Sequence, residues 1–253
     1  SSCGDVPGNT GLGSSGSYLV ALLNGIRHYT KRPCSPGIVA EEACQIEINK
    51  LGYPVGKQDQ YIAAFGGLKI LDINKQGQVF VKEVKILQSD LLNLLNNLHI
   101  YFLKKKRNAS NILSQQDCSK KGNEERLLKV KELGYQTLDI LENNNFDDYG
   151  LMLNDYWQLK KQFSQDMSFS FADEVYSELQ NRFGILGGKI IGAGGGGFLM
   201  VYANKKHQEI ESFMRKQGIV RLNYLPDYHG STILGDFTST NQQPLSHEGN
   251  KRT

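Results

Sequence analysis

Apolar residues first recur at helical spacing: Leu19, Leu22, Leu23 and Ile26 share one face of a helix predicted over 14–29. Ser35 followed by Pro36 supplies a cap and a first helical position for a second helix, which turns Val39, Ala43 and Ile46 inward and ends near 51–52. The period then changes to two. Residues 68–73 and 79–86 alternate as strands joined around Lys75-Gln76-Gly77-Gln78, a predicted hairpin. Ser89 caps a short leucine-rich helix, and 98–103 reads as a strand. The polar stretch 107–123 breaks the pattern, and the domain junction is placed near its start, which divides the chain into 1–104 and 105–237. Helices are predicted over 124–143, where Leu127, Val130, Leu133 and Leu138 recur, and over 146–163, where Trp157 reads as core. A further helix over 171–183 precedes a glycine-rich connection, and then come a helix over 205–217 and strands over 220–224 and 233–237. From 238 to 253 the chain is polar and apolar-poor, a composition expected of a disordered tail.

Two glycine runs interrupt these elements. The first, Pro7-Gly8-Asn9-Thr10-Gly11-Leu12-Gly13-Ser14-Ser15-Gly16, feeds straight into the first helix. Such a loop bends closely round a bound group and presents the helix N-terminus to it, an arrangement suited to phosphate. Both it and the second run, 192–197, satisfy G-x-G-x-x-G letter for letter. A dinucleotide fingerprint also needs an apolar strand before the loop and a helix after it, with an acid at the next strand end. The first run follows a polar segment, no acid lies near Lys31-Arg32-Pro33, and the second is flanked by strand on both sides. A Walker A loop needs Gly-Lys-Ser/Thr, and no lysine lies between Asp5 and Ile26.

Composition narrows the classes. The 253 residues can hold one or two domains, and a net charge of +3 is too small to argue for nucleic acid. The basic run Lys104-Lys105-Lys106-Arg107 reads as a solvated strand end or a ligand contact. Cys3, Cys34, Cys44 and Cys118 are scattered without C-x-x-C spacing, which fits a reducing cytoplasm, and the five histidines show no metal spacing. No apolar run reaches the ~18 residues of a membrane span. The chain begins without Met a few residues before its loop, as a partial chain would.

The loop resembles the ATP loop of the GHMP small-molecule kinases, written Pro-x-x-x-Gly-Leu-Gly-Ser-Ser-Ala, from Pro7 to Ser15, and departs at Gly16. Three more segments are similar to the heptose 7-phosphate kinase branch: Pro54-Val55-Gly56-Lys57-Gln58-Asp59-Gln60-Tyr61 with Ala64-Phe65-Gly66-Gly67; Arg107-Asn108-Ala109-Ser110-Asn111-Ile112-Leu113; and 186–198. The resemblance implies an α+β fold of two domains, a partial ribosomal-protein-S5-like N-terminal domain and a ferredoxin-like C-terminal domain, with the active site between them. The family's first motif would precede residue 1, so strands of the N-terminal sheet are expected to be missing.

The same resemblance implies roles. Pro7, Gly8, Gly11, Leu12, Gly13, Ser14, Ser15 and Gly16, with Gly194 and Gly195 of the second run, would bind ATP. Ser15 and Glu47 would hold Mg²⁺, Glu47 alternatively being a solvated helix acid. Asp59 would be the base that takes the proton of the substrate hydroxyl, or else an N-cap for a helix over 60–65. Lys57, Arg107 and Lys189 would contact a phosphorylated sugar, Lys189 alternatively lying on a surface. The expected reaction is ATP-dependent phosphorylation of the C1 hydroxyl of D-glycero-D-manno-heptose 7-phosphate. Fucose, galactose or mevalonate are alternative substrates, and a non-catalytic ligand sensor is the reading from another class. A cytoplasmic protein without membrane or nucleic-acid partners is expected, compatible with a homodimer.

Overall fold

The computed structural model describes residues 3–6, 8, 10–104 and 123–236. Pro7, Arg107, the expected boundary at 105 and the tail at 238–253 lie outside these residues. Helix α1 (Ser14–Tyr29), α2 (Pro36–Cys44) and α3 (Gln58–Phe65) pack round Val20, Leu23, Val39, Ala40, Ala43, Tyr61 and Ala64. The inward positions of α1 are thus Val20 and Leu23, while Leu22 and Ile26 remain exposed. Where α2 ends the chain continues as a π-helical turn (Gln45–Lys50), which places one extra residue in the helix and carries Glu47 inward.

Strands β1 (Lys69–Ile73) and β2 (Val79–Glu83) form the predicted hairpin, with Lys69 opposite Glu83 and Ile73 opposite Val79. The Asn74 side chain closes its turn by accepting from the amides of Gln76 and Gln78. Helix α4 (Gln88–Asn97) then leads directly into β3 (Leu98–Phe102).

The remaining helices are α5 (Asn123–Glu142), α6 (Phe146–Lys161), α7 (Ser170–Glu178), which runs on into a π-helical turn (Leu179–Phe183), and α8 (His207–Lys216). With β4 (Gly187–Ile190), β5 (Phe198–Tyr202) and β6 (Val220–Arg221) they build a four-stranded antiparallel sheet of order β4-β5-β3-β6. A division at residue 104 would cut this sheet, because β3 sits between β5 and β6. Trp157, 2% exposed, lies in the core against this sheet with Tyr101, Ile190, Leu199 and Met214. Helix α6 lies directly on β4, because a side chain on Gly187 would collide with the Gly150 carbonyl and come within 2.7 Å of the Asn154 amide.

Two expected strands are shorter or absent. The strand beside β3 is limited to Val220 and Arg221, with one further bond from the Leu222 amide to the Ile100 carbonyl, and 233–236 makes no ladder among the described residues. That segment is instead an extended strap along α1: Asn24 donates to Ser231, and Asp236 bonds to His28 and Lys31. Its apolar residues point largely to solvent, Leu234 being 98% exposed.

One buried polar chain runs across the second sheet. His207 Nδ1 lies 2.9 Å from His99 Nε2, His99 Nδ1 lies 3.0 Å from the Tyr101 hydroxyl, and that hydroxyl donates to Glu211 at 3.4 Å. Donation from His207 to His99 to Tyr101 to the Glu211 carboxylate satisfies every member, and it requires His99 to be neutral. Burial, with Arg221 and His207 nearby, accordingly lowers the His99 pKa to about 4. Among the described residues no helix is long and apolar enough to cross a membrane.

Candidate functional site

The glycine loop reaches α1 through Gly13, the residue preceding the helix, at φ 70° in the left-handed region that an L side chain rarely adopts. No side chain caps α1 at this end. Helix α3 likewise begins without a side-chain cap, with Lys57 in the flanking position and Asp59 in the first turn. Asp59 is therefore not the N-cap that one reading allowed. It complements the helix dipole from within the turn.

The two helix starts are held against each other. A methyl built on Gly13 would stand 3.2 Å from the Asp59 carboxyl carbon, and one on Gly16 would stand 3.2 Å from Asp59 Cβ and 3.3 Å from the Gln60 amide. The absence of side chains on the loop thus sets how close the Asp59 carboxyl lies to the first turn of α1. Gly16, where the resembled motif has alanine, belongs to this contact.

Both helix starts open on one cavity of about 730 Å³. Gly8, Gly11, Gly13, Ser14 and Ser15 line one side, and Gly56, Gln58 and Asp59 continue it. The facing side comes from the second half of the chain: Tyr156 and Lys160 of α6, Lys189 of β4, and Ile191, Gly192 and Ala193 after it. The halves touch at the loop itself, since a side chain on Gly197 would collide with the buried Thr10 carbonyl. Lys160 donates to the Gly192 carbonyl and so braces the second glycine run. The Lys189 ammonium lies 4.5 Å from the centre of the Tyr156 ring, and burial lowers its pKa to about 8.

Of the expected site residues, Gly8, Gly11, Gly13, Ser14, Ser15, Asp59 and Lys189 meet on this cavity, while Leu12 and Gly16 are not among the residues that line it. Gly194 and Gly195 are buried away from it. The first is pressed against Met167, and the amide of the second donates to the Met167 carbonyl. The cavity is reached instead by Gly192 and Ala193. Lys57 is not a lining residue either. Its ammonium donates to both oxygens of Glu41 and to the Gly77 carbonyl, a tie between α2 and the hairpin that directs it away from the contact expected of it. Glu41 also accepts from the Tyr61 hydroxyl, and these bonds hold its pKa below the usual range against the opposing effect of burial.

Glu47 is buried in the π-helical turn and is absent from the cavity lining, so it is no solvated acid. One of its oxygens accepts from Gln60 Nε2, and Gln60 Oε1 finds no hydrogen-bond partner among the described residues. A hydroxyl at Ser15, a carboxylate at Glu47 and an orphaned amide oxygen beside it are hard oxygen donors of the kind Mg²⁺ accepts. Among the described residues no three His, Cys, Asp or Glu side chains gather as a metal cluster. Magnesium held mainly by nucleotide oxygens does not need one. Tyr156 and Lys160 carry no sequence motif. Their only signal is the i, i+4 spacing that puts both on one face of α6.

Comparison with known proteins agrees with this geometry. Residues 3–67 match the model described as the GHMP kinases N terminal domain, and residues 137–220 the one described as GHMP kinases C terminal. The chain is 28% identical over 222 residues to D-glycero-alpha-D-manno-heptose 7-phosphate kinase of Campylobacter jejuni, covering 86% of this chain and 65% of that protein. It is 26% identical over 212 residues to a mevalonate kinase of Methanothermobacter thermautotrophicus, covering 78% of this chain and 62% of the relative. The chain thus spans somewhat less than two thirds of these relatives. Among solved structures, a D-glycero-D-manno-heptose 1-phosphate kinase from Bacteriodes thetaiotaomicron superposes with a TM-score of 0.70 at 22% identity, over 89% of this chain and 64% of that one.

Proposed function

Because the chain belongs to the GHMP kinase family, we propose that it carries the ATP-dependent transfer of a phosphoryl group to a sugar-phosphate hydroxyl. The substrate we assign is D-glycero-D-manno-heptose 7-phosphate, phosphorylated at its C1 hydroxyl to the 1,7-bisphosphate. The name of the Campylobacter jejuni relative supports that choice over mevalonate.

Phosphoryl transfer depends mainly on positioning and charge neutralisation. In this reading the nucleotide phosphates lie along Gly8, Gly11, Gly13, Ser14 and Ser15, where the α1 N-terminus favours negative charge. Asp59 accepts the proton of the attacking hydroxyl as its oxygen bonds to the γ-phosphorus, and the bond to ADP breaks. Ser15 and Glu47 would hold Mg²⁺, which supplies charge neutralisation on the phosphate oxygens. The side chains of the facing wall exclude water and hold the acceptor sugar.

The observation that carries this reading is that Asp59 stands against the glycine loop on a shared cavity. Loss of a general base typically slows a reaction on the order of 10²–10⁴-fold. Asp59→Asn should lower kcat to that degree and leave ADP affinity, measured by calorimetry, nearly unchanged. Wild-type kcat in this variant refutes the role of Asp59. Preference for an unphosphorylated sugar in a substrate panel refutes the substrate but leaves the kinase standing.

A further inference from the structure

The orphaned Gln60 oxygen lies where two elements of the site meet. Gln60 is 1% exposed and Glu47 3% exposed, and their side chains are bonded to each other. Gln60 follows Asp59 in the first turn of α3, so one turn sends a carboxyl group toward Gly13 and an amide toward Glu47. The Gln60 backbone is also held against the loop. A methyl on Gly16, the residue after Ser15, would stand 3.3 Å from the Gln60 amide nitrogen. A carboxylate only accepts hydrogen bonds, so the side-chain amide must turn its nitrogen to Glu47. Its oxygen is thereby directed elsewhere, and no donor among the described residues meets it. Buried acceptors are rarely left without a partner. Glu47 has a matching deficit. Among the described residues it forms no ion pair, and a neutral amide compensates a buried carboxylate incompletely. One hydrated cation answers both deficits. Mg²⁺ takes carboxylate oxygen and keeps several of its waters, which are donors.

We propose that Gln60 is a positioning residue for the magnesium site, holding the Glu47 carboxylate through Nε2 and offering Oε1 to the water that the ion retains. The inference rests on the kinase reading, in which Ser15 and Glu47 hold Mg²⁺, and deepens it with a residue to which that reading gives no part. Gln60 acts through Glu47 and is not itself a ligand. Hydrogen bonds to a ligating carboxylate fix its orientation, and losing one typically weakens metal binding on the order of 10- to 100-fold. Because Asp59 and Gln60 are consecutive in one helical turn, the base and the metal acid are placed by the same stretch of backbone. The glycine loop closes on that stretch at Gly13 and Gly16.

The test uses Mn²⁺ in place of Mg²⁺, because free Mn²⁺ is read directly by electron paramagnetic resonance. Mn²⁺ affinity of the ADP complex is measured for the wild-type protein, Gln60→Met, Glu47→Gln and the double variant. Calorimetry gives the ADP affinity of each without metal. Gln60→Met should weaken Mn²⁺ on the order of 10- to 100-fold and keep metal-free ADP affinity within about threefold of wild type. The double variant should be little weaker than Glu47→Gln alone, since neighbours that act as one unit are not additive. In the wild-type protein the Gln60 side-chain amide resonances should shift when Mg²⁺ joins the ADP complex, a readout that needs no variant to fold. Wild-type Mn²⁺ affinity in Gln60→Met beside a weakened Glu47→Gln would make Gln60 a packing residue and overturn the inference alone. Fully additive losses, an equal loss of metal-free ADP binding, or unshifted amide resonances would overturn it as well. Unchanged Mn²⁺ affinity in Glu47→Gln would instead defeat the metal reading beneath it.

Discussion

Gly13→Ala separates what the loop does for folding from what it does for chemistry. Gly13 sits at φ 70° before α1, so alanine there meets an intrinsic backbone penalty of about 1–2 kcal/mol. For a chain of this size each kcal/mol lowers Tm by roughly 2–4 °C, so the variant should melt about 2–8 °C lower. The added methyl would also stand 3.2 Å from the Asp59 carboxyl carbon and 3.4 Å from its Oδ2. Those contacts are tighter than ordinary van der Waals separations, so the carboxyl group must give way. A misplacement approaching 1 Å can lower a rate on the order of 10²-fold. The methyl points at Asp59, so the damage should appear in kcat more than in nucleotide affinity. Gly8→Ala is the contrast: a methyl there meets nothing within 4 Å and needs no unusual backbone, yet Gly8 lines the cavity. It should leave Tm alone and act on the KM for ATP. Calorimetric melting and steady-state kinetics on both variants decide the matter. A Gly13→Ala protein with wild-type Tm and kcat would show that the loop does not position Asp59.

Gly25 lies inside α1 with nothing within 4 Å of a built methyl, so Gly25→Ala should stabilise the protein by about 0.5–1 kcal/mol in a denaturant titration. Stability should also depend on His99. Its folded pKa of about 4 lies below the ordinary histidine value of 6.5, so the unfolded state binds more protons between those limits. The contribution is complete above pH 6.5 and is lost as pH falls toward 4, an effect of order 1–3 kcal/mol after solvent screening. A denaturation midpoint in His99→Gln that declines over this window as steeply as wild type would place the dependence elsewhere.

The sequence showed most clearly what local rules govern. The hairpin at Ile73 to Val79, the helix start behind Gly13 and the core position of Trp157 all follow from period and turn chemistry. What it concealed depends on partners distant in the chain. The alternation over 98–103 identifies a strand but not its sheet, and β3 pairs with residues about a hundred positions later. A lysine reads as a free cation until its neighbours are known: Lys57 is held by Glu41, whereas Lys189 stands on the cavity. The π-helical turn that buries Glu47 has no signature in the letters, and neither do Tyr156 and Lys160. Nor do the letters show that the backbone at Gly194 and Gly195 is taken up by packing on Met167.

The two glycine runs are best understood together. The first shapes a phosphate-favouring loop, and the second lets a strand connection pass beneath it, where Gly197 leaves room for the Thr10 carbonyl. Thr10 is wholly buried, so the loop has a floor made by the other half of the chain. Lys160 fixes that floor from above through the Gly192 carbonyl, and Leu103 fixes its far end by donating to the Gly197 carbonyl. The placing of the loop on the second half of the chain is therefore set by the backbone approach of Gly197 to Thr10 and braced by the Lys160 side chain. For the phosphoryl transfer proposed above such rigidity matters, since small errors in alignment weigh heavily on the transfer step.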